Sequence, residues 1–365
     1  MTRRPTVFVL TLVALSTILA GCDLLGTDSD TEVVTSGVYV ANAGGFRLSN
    51  SSLTIYNPST EQTQRLPADD PGFASYIQSI TMAPRRFYLL FGGTNSVGVF
   101  NAETSEQVGQ ITGIRNPRYM VATEERGYVT GQDYSASPSP KLYQIDRSSG
   151  EVVDSVEVGG SPEGLTVREG KVYVALGGRN GNVAVVNAAS MTVEQTVPVE
   201  CDAPRFLSFD RQGELLVFCA GSTIYNDDFE VVDRTDGAIR VLDPAPPEIT
   251  TRIPLDTMLT SASQGQRVFY TPRSDEAFAV LADQTVLRFD AGTNEVADRF
   301  SASGAPIGTI AYDARAQRLY IGRGAESDLF SAGGTVTVHR RDGTMAGSFE
   351  AGVAPIDIGF RRTTR

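Results

Sequence analysis

The chain has 365 residues, 43 acidic against 31 basic, a net charge of −12, one histidine, three cysteines and no tryptophan. So acidic a surface repels phosphate backbones and anionic lipid heads, which argues against nucleic-acid partners. A single histidine cannot build a multi-histidine metal site, and no Ser/His/Asp or Cys/His pair is motivated by spacing, so no catalytic residue or metal ligand is assigned and a non-enzyme is expected.

In chain order, Arg3 and Arg4 precede an apolar stretch from Val7 to Ile18, followed by Leu19-Ala20-Gly21-Cys22. A charged start, a short apolar centre and small residues predict an export signal over 1–21, too short to span a membrane as a helix. The Leu-Ala-Gly-Cys ending resembles the lipobox of bacterial lipoproteins. That resemblance implies cleavage before Cys22, a diacylglycerol on its thiol and a further acyl chain such as palmitate on its amine, with no other cofactor. Two or three acyl chains, at about 0.8 kcal/mol per buried methylene, hold a protein durably on a bilayer. The polar, acidic run from Cys22 to residue 36 reads as a flexible tether, and the folded domain is expected over 37–365.

Beyond residue 50, seven alternating apolar runs end on a polar residue and a turn: SLTIYNPST, SVGVFNAET, KLYQIDRSS, NVAVVNAAS, AIRVLDPAP, TVLRFDAGT and TVTVHRRDG. The closing residues are Asn57, Asn101, Asp146, Asn187, Asp243, Asp290 and Arg340, spaced by 44, 45, 41, 56, 47 and 50. Asn and Asp recur there because their side chains bond the backbone two residues on and set the turn. Short strands repeating at this period, with no helical periodicity between them, predict an all-β, seven-bladed β-propeller of four-stranded antiparallel blades. The fourth blade shows the pattern best, as GLTV, KVYVAL, NVAVVN and TVEQTVPV.

The first blade lacks an innermost strand, because Gly37-Val38-Tyr39-Val40 aligns with second strands elsewhere. PIDIGF near the C-terminus aligns with the innermost strands that follow Pro117, Pro162, Pro204 and Pro306, and is expected to close the ring beside the N-terminal strands. Cys201 and Cys219 flank the hairpin RFLSFD-RQG-ELLVFC, whose turn places 219 opposite about 204. Outside the cytoplasm these thiols are expected to form a disulfide.

Antiparallel blades put the loops between first and second and between third and fourth strands on one face, where all are tight. The loops between second and third strands and the links between blades lie on the other, and length variation is concentrated there, at 42–52, 131–140, 219–237 and 322–335. A scaffold that trims one face and elaborates the other usually binds with the elaborated one. Its candidate ligand-binding residues over the channel mouth are Tyr76, Arg118, Tyr119, Glu163, Arg205 and Phe206, overhung by Phe46, Tyr134, Tyr225, Arg323 and Phe330. His339 falls in the apolar column of Tyr56, Phe100 and Ile145, which predicts a packed strand residue. Asn226-Asp227-Asp228 lacks the alternating ligand spacing of a calcium loop.

The fourth blade, PEGLTVREGKVYVALGGRNGNVAVVNAASMTVEQTVPV, resembles the YVTN-type propeller repeat, with a Pro-led strand, a Lys-Val-Tyr-Val strand and an Asn-bearing turn. VYVANAGGF, NPRYM at 116–120, VGGSPEGL at 158–165 and GELLVFCAG at 213–221 are similar to propeller lipoproteins of Bacteroidota. That group includes surface lipoproteins that capture vitamin B12 for an outer-membrane, TonB-dependent transporter. The resemblance implies a lipid-anchored protein of the outer membrane, at the cell surface or alternatively on the periplasmic face, that binds a small molecule, with a corrinoid as the candidate ligand. The alternative from a different class is a structural or adhesive propeller that contacts another protein and holds no small ligand.

Overall fold

A computed structural model describes residues 32–67, 72–135, 137–260 and 266–364. The expected export signal, Cys22 and the first part of the expected tether lie outside the described residues. Every regular element among the described residues is a strand.

The first blade opens with β1 (Val33–Asn42), β2 (Ser52–Asn57) and β3 (Gln62–Leu66). The second is β4 (Ile77–Ala83), β5 (Arg86–Phe91), β6 (Ser96–Asn101) and β7 (Gln107–Thr112). The third is β8 (Pro117–Ala122), β9 (Arg126–Gly131), β10 (Lys141–Asp146) and β11 (Glu151–Glu157). The fourth is β12 (Ser161–Arg168), β13 (Lys171–Gly177), β14 (Asn182–Asn187) and β15 (Thr192–Pro198). In the fifth, β16 (Pro204–Phe209) and β17 (Leu215–Cys219) are followed by an inserted hairpin, β18 (Ser222–Tyr225) and β19 (Val231–Thr235), before β20 (Ala238–Pro244) and β21 (Pro247–Pro254). The sixth is β22 (Val268–Thr271), β23 (Glu276–Val280), β24 (Thr285–Asp290) and β25 (Glu295–Ser301). The seventh is β26 (Ile307–Asp313), β27 (Arg318–Arg323), β28 (Gly333–His339) and β29 (Met345–Val353).

The last strand, β30 (Pro355–Thr364), returns to the first blade, whose order is β3-β2-β1-β30. This is the seven-bladed β-propeller expected from the repeat, closed by PIDIGF as the innermost strand of blade one. The β1–β30 ladder runs longer than expected: Val33, Val34 and Thr35 pair with Thr364, Thr363 and Arg362. The end of the expected tether is therefore strand, and among the described residues β structure starts at Val33, ahead of the expected residue 37.

The turn chemistry is as the repeat required. Asn57, Asn101, Asp146, Asn187 and Asp243 each accept, through Oδ1, the amide two residues on, at 2.7–3.0 Å. Asp290 accepts the amide of Thr293 at 3.1 Å. In the seventh copy Arg340 cannot play that part, and Asp342 takes it over by accepting the amide of Thr344 at 2.9 Å. Hydrogen bonds from the Ser148 hydroxyl and from the Ser149 and Ser148 amides hold the Asp146 carboxyl well below the usual range.

Blades stack face to face, so there is no single core. Seven apolar clusters are found among the described residues, one at each junction between neighbouring blades. Between blades five and six, for example, Leu216, Phe218 and Ile239 meet Ala277, Leu287 and Phe289, with the Phe218 and Phe289 rings edge to face at 6.0 Å. Burying each such Leu, Ile or Phe contributes roughly 1.5–3 kcal/mol. The outermost strands pack on one side only, and β21 alternates half-buried and exposed along its length. Cys219 pairs opposite Pro204, as expected, and is disulfide-bonded to Cys201 with their Cα atoms 6.1 Å apart.

Candidate functional site

The innermost strands carry the chemistry of the channel because of a shared irregularity. Six of the seven have a register shift near their leading residue: β4, β8, β12, β16, β26 and β30. A bulge leaves extra residues unpaired and re-aims their side chains. In β4, β8, β12 and β16 the residue following the leading Ile77, Pro117, Pro162 or Pro204 is Gln78, Arg118, Glu163 or Arg205. Those four side chains meet at the mouth on the elaborated face.

Glu163 is the hub. Its carboxylate accepts Arg118 Nη2 at 3.0 Å, Gln132 Nε2 at 3.0 Å and Arg205 Nη1. Arg118 Nη1 also donates to Gln78 Oε1 at 2.9 Å, and its guanidinium lies 5.6 Å from the Tyr119 ring centre. The network links blades two to five in one polar floor. Burial alone would lower the Arg118 pKa, but the Glu163 charge and hydrogen bond outweigh it and the guanidinium is held charged above its usual value.

Aromatic side chains stand around this floor. The Phe46 and Tyr76 rings are 5.6 Å apart, and Arg47 lies over Phe46 at 5.1 Å. Tyr76 donates to Asn116 Oδ1 at 3.3 Å, and burial raises its pKa, with the Arg118 and Tyr134 groups near enough to act on it. Tyr134 is 78% exposed and bonds Gln132, which in turn holds Glu163. Phe330 is exposed on a loop tied to the Phe46 loop by Asn50 Nδ2 donating to the Phe330 carbonyl at 2.9 Å.

The predicted residues thus divide. Phe46, Tyr76, Arg118, Tyr119, Tyr134, Glu163 and Arg205 come together, with Phe330 on the adjoining loop. Tyr225 stands apart, exposed on β18, beside Phe229 at 87% and Val232 at 60% exposure. Two expectations need correction. Phe206 packs on the junction of blades five and six, edge to face with Phe218 at 5.9 Å, and borders only the cavity below the mouth. Arg323 is buried, donating to the carbonyls of Ala305 and Ala302 at 2.7 and 3.1 Å, so it anchors the link into blade seven rather than overhanging the mouth. Asn226 closes the β18–β19 turn by accepting the amides of Asp228 and Glu230 at 3.0 and 2.9 Å. His339 is buried in β28, with Nδ1 2.8 Å from the Gly343 carbonyl and Nε2 2.9 Å from Thr337 Oγ1; burial lowers its pKa.

Sequence reading missed Gln78, Gln132, Arg267 and Asp357. Gln78 follows Ile77 where other blades have proline, so the Pro-led pattern concealed it. Below the floor, Tyr119, Leu165, Arg205, Phe206, Gln266 and Arg267 line a cavity of about 210 Å³ on the ring axis. Asp357 is fully buried, accepting the amides of Ile80 and Ile358 at 2.9 and 2.8 Å.

Fold and mouth together define a seven-bladed propeller with one elaborated, aromatic-rimmed face. The chain is similar in structure to the hydrazine synthase of Kuenenia stuttgartiensis, with a TM-score of 0.63 at 13% identity, over 80% of this chain and 90% of that one. It is also similar to a chain of a mitotic checkpoint complex, with a TM-score of 0.59 at 12% identity, over 88% and 96% of the two chains. Likeness at these identities shows the fold alone. No protein-family model and no curated protein matches the sequence.

Proposed function

We propose that this protein is a lipid-anchored bacterial surface lipoprotein, not an enzyme, whose elaborated face captures a large planar nutrient, with a corrinoid as the candidate, beside an outer-membrane TonB-dependent transporter. The observation that carries the reading is the aromatic rim of exposed Phe46 and Tyr134 and half-buried Tyr76 over a floor of Arg118, Glu163 and Arg205. Rings on such a rim bury the apolar faces of a flat ligand while guanidinium groups meet its polar edge. The leader, with its lipobox-like ending, and the resemblance to Bacteroidota propeller lipoproteins support the location.

Calorimetry with cyanocobalamin tests the ligand. Saturable heat is expected, weakened by about 1–3 kcal/mol in Tyr134→Ala with an unchanged melting temperature. Arg211→Ala, on the trimmed face, should bind as the wild type does. Absence of heat with cyanocobalamin removes this ligand, and equal loss in both variants removes the mouth as the site. A second reading, contact with another protein, is favoured by the β18–β19 hairpin, whose exposed Tyr225, Phe229 and Val232 form an apolar edge away from the mouth. Deleting that hairpin should then abolish partner capture and leave cyanocobalamin binding intact.

A further inference from the structure

Arg267 immediately precedes β22 on the channel wall of blade six. None of its guanidinium nitrogens makes a hydrogen bond or ion pair among the described residues, and Nε and Nη1 are closed off from solvent. The other arginines of the ring interior are all engaged. Arg118 holds Glu163 and Gln78, Arg205 holds Glu163, and Arg323 holds two carbonyls and the Thr337 hydroxyl. Arg267 is half-buried, and a guanidinium stays charged in a protein, so shutting two of its nitrogens off from water without an acceptor is costly.

Among the described residues the channel offers no spare carboxylate. Glu163 is already shared by Arg118, Arg205 and Gln132, and Asp357 spends both oxygens on backbone amides. Positive charge is therefore in local excess, in a chain whose net charge is −12. Burial lowers the Arg267 pKa to about 10, with the Tyr119 group pulling it back up, as expected for a cation that lacks a counter-ion. Burial raises the Tyr119 pKa, so at neutral pH its phenol keeps its proton and can donate. The cavity these groups face, about 210 Å³, is smaller than typical pockets for drug-sized ligands at roughly 300 Å³ and above. It has room for a few heavy atoms and a negative charge.

We propose that the channel holds a small oxyanion, a phosphate or a short carboxylate, on the Arg267 guanidinium with Tyr119 and Arg205 beside it. Oxyanion geometry suits guanidinium donors, and the bound anion supplies the acceptor that the chain itself does not. This site shares Arg205 with the floor under the aromatic rim, but its anchor, Arg267, is not part of that floor.

The test is titration of the purified protein with inorganic phosphate and, separately, with sodium acetate, at constant ionic strength made up with chloride and without any corrinoid. Saturable binding of either anion with Kd below about 1 mM is expected, weakened at least about tenfold in Arg267→Gln and unchanged in Arg211→Gln. Phosphate alone would identify a tetrahedral oxyanion site, and acetate, alone or together with phosphate, a site that accepts carboxylates. Failure of both anions to bind wild type, or undiminished binding in Arg267→Gln, overturns the proposal. Because Arg267→Gln could fail to fold, wild-type crystals soaked in selenate give an independent readout. An anomalous peak within hydrogen-bond distance of Arg267 supports the site, and a channel without one, in a protein that also fails to bind acetate, overturns it.

Discussion

Asp357 sits on the innermost strand of the closing blade with both carboxyl oxygens turned to amides and no cation paired to it among the described residues. Burial raises its pKa from 3.8 to about 7, against the pull of those amides. Between these two values the folded state binds more protons than the unfolded one, so stability falls as pH rises across that window and the full cost is reached above pH 7. The ionisation cost is on the order of 4 kcal/mol. Asp357→Asn places an uncharged amide there, at the loss of one amide acceptor. The variant should compare with wild type more favourably at pH 8 than at pH 5, by more than about 1 kcal/mol in urea unfolding. A difference that stays constant between the two pH values would show that Asp357 does not titrate in this range. The same residue shows why the channel was poorly legible in the sequence. An Asp between two isoleucines in PIDIGF reads as an ordinary alternating polar position. What it meets, the Ile80 amide of the neighbouring blade, is 277 residues away in the chain and leaves no local sequence mark.

At the scale of strands and turns the sequence was far more legible. Period, turn chemistry and the Pro-led innermost strands are local signals, so the sequence alone assigns Asn57 to Asp290 their turns and PIDIGF its blade. The misplaced side chains, Phe206 and Arg323, failed for a different reason. Phe206 lies in its strand as expected, whereas Arg323, expected in the 322–335 loop, is the last residue of β27; what each side chain meets depends on a neighbouring blade or link distant in sequence. Closure itself is testable. Truncation after Val353 removes β30 and opens the clusters that hold Ile356 on one side and Ile358 on the other. Those two side chains and Phe360 together contribute on the order of 5 kcal/mol, comparable to the whole net stability of a typical domain. The truncated chain should lose its cooperative unfolding transition, whereas replacing residues 222–235 with a short Gly-Ser turn should leave the melting temperature nearly unchanged. Equal effects from both deletions would mean that ring closure contributes no more than any surface hairpin.

For the whole molecule, the strand directions set how the propeller would stand on a membrane. The β1–β2 loop lies on the elaborated face, so β1 enters its blade from the trimmed face, and β30, antiparallel to it, ends there. Ten residues separate Cys22 from Val33, a span of at most about 35 Å when extended. With the proposed lipid on Cys22, the trimmed face would look toward the bilayer and the aromatic rim away from it. Cys22→Ser should move the protein from the membrane fraction to the soluble fraction or block its processing, without changing the fold seen by circular dichroism. Retention of a fully processed Cys22→Ser protein on the membrane would remove the anchor from the reading.

The entry of β1 also determines how a mechanical load would pass through the molecule. A pull between an anchored N-terminus and a partner gripping the opposite face runs along the axis of β1. Its hydrogen bonds to β2 on one side and β30 on the other lie across that axis. They are loaded together in shear and cannot be peeled one at a time. On the proposed anchor, the strand that completes the ring would therefore also act as a clasp on the tethered end.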